Sequence, residues 1–233
     1  MDHDGTMAFS IAVTGHGGTG RDTVAAALSG HFGLPAYGPA APPARHATAD
    51  LLVHVLGAVV RPCDREFLHG QVRPVLVVAG KADLRGPRAA PAAVVAAEDV
   101  RRPVYPVSAL LATVTVDDAL LADLRRWARG GIVLPSPPAA FVETPDREER
   151  RCRAAALDAL GAAGLRTALA HCATVPDGRD PAAERAALTD RLRADSGFAA
   201  LAGPLRGVAP ALDAHRDQRR RRAWAVQQAR WTR

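Results

Sequence analysis

Residues 8–110 alternate short valine-rich apolar runs with alanine-rich stretches, and this alternation limits the available folds more than any other feature of the chain. The runs AFSIAVTG, ADLLVHVLGAVV, RPVLVVAGKADL and RPVYPVSALLA are rich in β-branched residues, and each stops at glycine, proline or a charged turn. Apolar runs without polar alternation mark strands buried on both faces, which occur in parallel sheets covered by helices. The expectation is an α/β domain with a parallel sheet of about four strands. A helix around 117–129 follows, then the proline-rich stretch LPSPPAAFVETP, a natural boundary. The chain therefore divides, as a sequence, into a domain over 1–135, a linker over 136–145 and an all-α domain over 146–233. In the last of these, RRCRAAALDALGAAGLRTALAHC and PAAERAALTDRLRADSG carry alanine and leucine at helical spacing.

The charge is unevenly placed. Net charge is +6, yet from Arg216 to the C-terminus seven arginines face one aspartate, so the first 215 residues are neutral. Bulk basicity therefore gives no ground for a nucleic-acid-binding body, and the excess rests on the tail alone. That tail, 216–233, also carries Trp224 and Trp231, seven residues apart and on one helical face. Arginines with tryptophans suit an anionic membrane surface, against which stands plain solvation with the tryptophans packed on the helical domain. Three cysteines without a close pair indicate neither a disulfide framework nor a zinc site, and a reducing cytoplasm is the expected compartment. The N-terminus carries acidic residues where a leader has basic ones, and no apolar run nears the roughly 20 residues of a membrane span.

The first apolar run leads directly into GHGGTGRDT, and an alanine-rich helix follows. Strand, glycine loop and helix in that order is the setting of a phosphate-binding loop, whose backbone N–H groups and helix N-terminus surround an anion. The candidate phosphate-binding residues are Gly15, His16, Gly17, Gly18, Thr19, Gly20, Arg21, Asp22 and Thr23. Gly15 and Gly20 fill the frame G-x-x-x-x-G, but the lysine and hydroxyl that should follow are Arg21 and Asp22. Arginine is planar and longer than lysine. Asp22 replaces a magnesium-binding hydroxyl with a carboxylate that repels phosphate, which leaves a role for magnesium open. The alternative is a glycine turn that only tightens a strand-to-helix junction.

Two later segments follow apolar strands: VLVVAGKADL and VYPVSALLA. In this order they resemble the base-recognition motifs of P-loop GTPases, Asn-Lys-x-Asp and Ser-Ala-Lys. The resemblance implies that Asp83 accepts from the guanine N1–H and N2–H₂ groups, that the Lys81 stem covers the base, and that backbone N–H groups at Ser108, Ala109 and Leu110 reach O6. Lys81 is the one lysine among thirty basic residues. The competing reading is a charged turn. With SGFAALAGPLRGVAPAL and the arginine-rich end, the pattern resembles actinobacterial dynamin-like GTPases, in which helices follow the G domain.

Parts of that pattern are missing. Between the loop helix and ADLLVHVL stands only PAYGPAAPPARHAT, with no Asp-x-x-Gly and no room for two strands and a switch. Gly80 stands where the family carries asparagine. Phosphoryl transfer in this class rests on positioning and charge stabilisation by the lost groups. The expected function is thus a non-hydrolysing or very weakly hydrolysing pseudo-GTPase with no catalytic residues and no metal ligands, binding GTP or GDP as a regulatory partner of a true GTPase of that family, or acting as a homo-oligomer. An interaction scaffold without nucleotide is the alternative, and a small-molecule or nucleoside kinase ranks behind both. Loss of two strands also predicts that AFSIAVTG forms a sheet edge, covered by residues 35–43 or by a partner. His54 reads as a core histidine, His16 as a loop histidine that reaches a phosphate or is simply solvated, and Asp64 as part of a helix start.

Overall fold

The computed structural model describes residues 9–176 and 178–231. Residues 1–8, which hold the acidic side chains of the N-terminal stretch, and Thr232 and Arg233 of the tail lie outside them.

The core of the fold is a five-stranded parallel sheet. It contains β1 (Ile11–Gly15), β2 (Ala36–Tyr37), β3 (Leu51–Leu56), β4 (Val75–Ala79) and β5 (Val104–Pro106), in the order β2-β1-β3-β4-β5. The expected count of about four strands is one short. The extra strand, β2, is two residues of the proline-rich stretch, which had been given no strand. It pairs in parallel with β1, Ile11 opposite Ala36 and Ala12 opposite Tyr37. β1 is therefore not the sheet edge: it lies between β2 and β3, and the cover on its outer side comes from within residues 35–43, one of the two covers expected. All six residues of β3 are buried, as its unbroken apolar sequence requires.

Helices alternate with the strands: α1 (Arg21–Phe32), α2 (Pro43–Thr48), α3 (Pro62–His69) and α4 (Ala89–Val100). Beyond β5 come α5 (Ala109–Ala112), α6 (Asp118–Arg129), α7 (Arg147–Thr174), α8 (Pro181–Ala194), α9 (Ala202–Gly207) and α10 (Ala209–Trp231). Short acidic side chains start three of these. Asp117, Asp146 and Asp180 accept from the free backbone N–H groups of the first turns of α6, α7 and α8.

The chain forms two compact units that interleave along the sequence. One holds residues up to Gly80, Pro91–Tyr105 and everything from Ala200 on; the other holds Lys81–Ala90 and Pro106–Ala199. The first unit packs Leu56, Leu68, Val77, Ala93 and Val100 on one side of its sheet, and Ala12, Ala49 and Leu52 in a separate cluster. α10 belongs here, anchored by Arg216, whose Nε and Nη2 donate to the two oxygens of Asp50 at 2.9 and 3.0 Å. Burial would raise the Asp50 pKa, but the Arg216 and Ser10 hydrogen bonds hold it below the ordinary carboxylate value. The second unit is helical. Trp127, fully buried, meets Phe141 edge-to-face at 5.3 Å and donates its indole N–H to Glu149 at 2.7 Å, inside a shell of Leu121, Leu160, Leu165 and Leu188. No helix among the described residues is long and apolar enough to cross a membrane.

Candidate functional site

The strand order reverses at β1: the chain moves one way to β2, then returns past β1 to β3. In open parallel sheets a crevice forms at such a switch point, at the carboxyl ends of the strands. Here the glycine loop leaves β1 at that place. Gly15 has φ 133°, and a Cβ on it would lie 2.4 Å from the Val55 carbonyl oxygen, so the close approach of β1 to β3 demands glycine. Gly18 and Gly20 also have positive φ, 80° and 84°.

A cavity of about 380 Å³ opens beside this loop. Of the nine sequence-predicted phosphate residues, Gly15, His16 and Arg21 line it. Arg21 folds back and donates from Nη1 to the Gly15 carbonyl at 2.9 Å. Thr19 is buried and turns its hydroxyl to the His16 carbonyl at 2.8 Å. Gly17 and Gly18 are exposed at the loop tip, and Gly20 opens α1. Asp22 packs against the turn after β2, where a Cβ on Gly38 would fall 2.3 Å from Asp22 Oδ1. Thr23 is exposed on α1.

Other side chains complete the cavity that the sequence reading did not place there: Thr14, His46, His54, Cys63 and Asp64. They form a chain of hydrogen bonds. Asp64, almost fully buried, accepts from His54 Nε2 at 2.9 Å on one oxygen and from the Arg61 backbone N–H at 2.8 Å on the other. A donating Nε2 leaves His54 Nδ1 to accept from the Thr14 hydroxyl, 3.1 Å away. Burial lowers the His54 pKa against the opposing pull of Asp64, so this imidazole is neutral. His16, a candidate phosphate contact with plain solvation as its alternative, brings Nε2 to 3.1 Å from Cys63 Sγ and 3.4 Å from Asp64 Oδ1. One ring nitrogen faces both groups, so the three do not form a relay that passes a proton from thiol to carboxylate through the two sides of an imidazole. Asp64 is the carboxylate in this lining, and each of its oxygens already accepts a hydrogen bond from the protein. Among the described residues no cluster of three or more His, Cys, Asp or Glu side chains could hold a metal ion.

The loop also explains Gly80. A Cβ there would lie 3.0 Å from both the Thr19 carbonyl oxygen and Val55 Cγ1, so the loop backbone occupies the space an asparagine side chain needs.

The base-motif residues lie in the helical unit. Lys81 has φ 57°, and its side chain is exposed. Asp83 Oδ1 accepts from the Ser108 hydroxyl at 2.6 Å, and the Ser108 backbone N–H donates to the Ser196 carbonyl at 2.8 Å. Ala109 begins α5 and is buried, and Leu110 follows half-buried. Helix α7 closes over this group. It breaks at Gly161 (φ 62°, ψ 175°), and a Cβ on Gly161 would be 3.3 Å from both Asp83 Oδ2 and Leu110 Cδ2. The structure thus brings Asp83, Ser108 and Leu110 together, but their polar groups are bonded within the unit. Sequence reasoning missed this because the kink signal, a glycine in an alanine-rich helix, also suits an ordinary small-residue contact.

No protein-family model matches the chain, and no curated protein matches it significantly.

Proposed function

We propose that the chain is a GTPase-like regulatory protein of reduced P-loop fold that holds the phosphates of a guanine nucleotide on residues 15–23 and does not hydrolyse it, working beside a true GTPase. The observation that carries this reading is the cavity at the β1 switch point, lined by Arg21 and His16, whose carboxylate, Asp64, is bonded to His54 and the Arg61 backbone. A loop of positive-φ glycines at a helix N-terminus favours an anion, and Arg21 adds a fixed positive charge. Lys81, Asp83 and Ser108–Leu110 remain the residues that would select guanine. A second reading, a scaffold without nucleotide, is favoured by the bonds that Asp83 and Ser108 already make to their own unit.

Calorimetry of the full chain with GDP, GTP and ADP separates the two. Binding of GDP over ADP that Asp83→Ala abolishes is expected from the first reading. Equal binding of GDP and ADP, lost in Arg21→Ala, removes base recognition and keeps only the anion site. Absence of any binding leaves the scaffold, and steady release of phosphate from GTP refutes the non-hydrolysing assignment.

A further inference from the structure

Helix α10 is anchored near its start. Leu212 is buried, Arg216 grips Asp50, and Arg219 Nη1 donates to the Thr48 carbonyl at 3.1 Å. From Asp217 through Gln228 every residue is exposed, and so is Trp231. Trp224 is 65% exposed and Trp231 81%, so most of each ring's surface is bare. This stretch holds Arg219, Arg220, Arg221, Arg222 and Arg230 against one acid, Asp217. A helix of this length is marginal by itself in water, and self-repulsion among its arginines weakens it further.

The arrangement of the charge identifies the partner. Four consecutive arginines at 100° per residue point to every side of the helix. Trp224 and Trp231 share one face, but Val226 lies about 200° from Trp224 and the arginines surround the helix, so the apolar side chains do not form a broad stripe with a separate polar face, as a helix lying in a lipid plane requires. A flat anionic surface meets only one side of such a helix. A groove with two anionic walls meets both. The major groove of B-form DNA is about 12 Å wide, an α-helix with its side chains measures about 10–12 Å, and phosphates line both edges of the groove.

We propose that α10 is a DNA-binding arm that lies in the major groove of double-stranded DNA and holds the phosphates on both sides through Arg220, Arg221, Arg222 and their neighbours. Contacts of arginine to phosphate carry no base code, so recognition is independent of sequence. The proposal does not depend on nucleotide binding at the β1 cavity.

The test uses the full chain, a labelled 20-base-pair duplex and fluorescence anisotropy over about 50–200 mM salt. Three arginine contacts contribute about 2.7 to the slope of log affinity against log salt, at about 0.9 per phosphate. Replacing Arg220, Arg221 and Arg222 by glutamine should therefore flatten the slope by about that amount. At 0.1 M salt affinity should fall several-hundred-fold. Glutamine is a good helix former, and the anchors Leu212, Arg216 and Asp50 remain, so circular dichroism should show the variant folded. A change of duplex sequence should leave affinity unaltered. Three results would each overturn the proposal: no duplex binding at 50 mM salt, a slope that the triple variant leaves unchanged, or equal binding to single-stranded DNA of the same length. So would arginine-dependent binding to phosphatidylserine vesicles without binding to the duplex.

Discussion

His54 shows at the scale of one side chain how the candidate cavity is held together. Its ring stacks on Phe67 at 4.8 Å between centroids, receives a bond from Thr14 and donates to Asp64. Burial puts its folded pKa below the ordinary 6.5, although the Asp64 hydrogen bond and charge pull the other way. The unfolded chain therefore binds more protons in the window just under pH 6.5. Its stabilisation is complete above that pH and is lost as pH falls through the folded value. Urea unfolding at a series of pH values should show stability dropping below pH 6.5. In His54→Gln the drop should be shallower, with a residual slope from His215, whose pKa is also lowered, mainly by burial. An unchanged slope in the variant would show that His54 does not titrate on unfolding. The sequence marked His54 as a core histidine because it sits inside an unbroken apolar strand. It could not show the partners, because Thr14, Asp64 and Phe67 come from elements whose pairing depends on the sheet order.

At the scale of elements, the strands were legible and the helix breaks were not. β1, β3, β4 and β5 follow from apolar runs that only a doubly covered sheet can bury. β2 has two residues and lies among prolines, so no periodicity could announce it; its pairing to β1 is a tertiary effect. The kink in α7 is similar. Gly161 adopts φ 62° and ψ 175°, a region open essentially to glycine alone, and a Cβ there would lie a tight 3.3 Å from Asp83 Oδ2 and Leu110 Cδ2. Gly161→Ala should thus strain the backbone and press a methyl group on the Asp83 carboxylate, which is fixed by Ser108. Holding a residue in such a region costs about 1–3 kcal/mol. A fall of that order in unfolding free energy is expected from chemical denaturation. Gly164→Ala is a demanding comparison on the same helix, because its added carbon would meet Leu111 Cδ2 at 2.6 Å while the backbone stays helical. If Gly161→Ala were as stable as the parent, the kink would not be a fixed feature of α7.

At the scale of the whole molecule, the decisive property is that chain order and packing order differ. The sequence suggested a sheet domain, a linker and a helical domain in succession, since composition changes once near residue 135. Packing instead returns the last segment, from Ala200, to the sheet-bearing unit. Composition cannot show this, because an alanine- and arginine-rich helix looks the same wherever it docks. Within this segment Leu201, Leu205 and Leu212 are each at most 2% exposed, and Arg216 pairs with Asp50 beside β3. Fully burying a leucine is worth about 1.5–3 kcal/mol, so three contribute about 5–9 kcal/mol as an upper estimate. That matches the whole stability of a typical domain, about 5–15 kcal/mol. A chain ending at residue 199 should therefore lose most of the stability of its sheet, although every strand is still present. Asp50 would also be left without Arg216, keeping only its Ser10 bonds. Hydrogen exchange reads this directly: amides of β1 and β3 should be strongly protected in the full chain and exchange orders of magnitude faster in the shortened one. Equal protection in the two chains would mean that the sheet unit is complete without its C-terminal helices, and that the leucines of 200–212 cover a surface the sheet does not need.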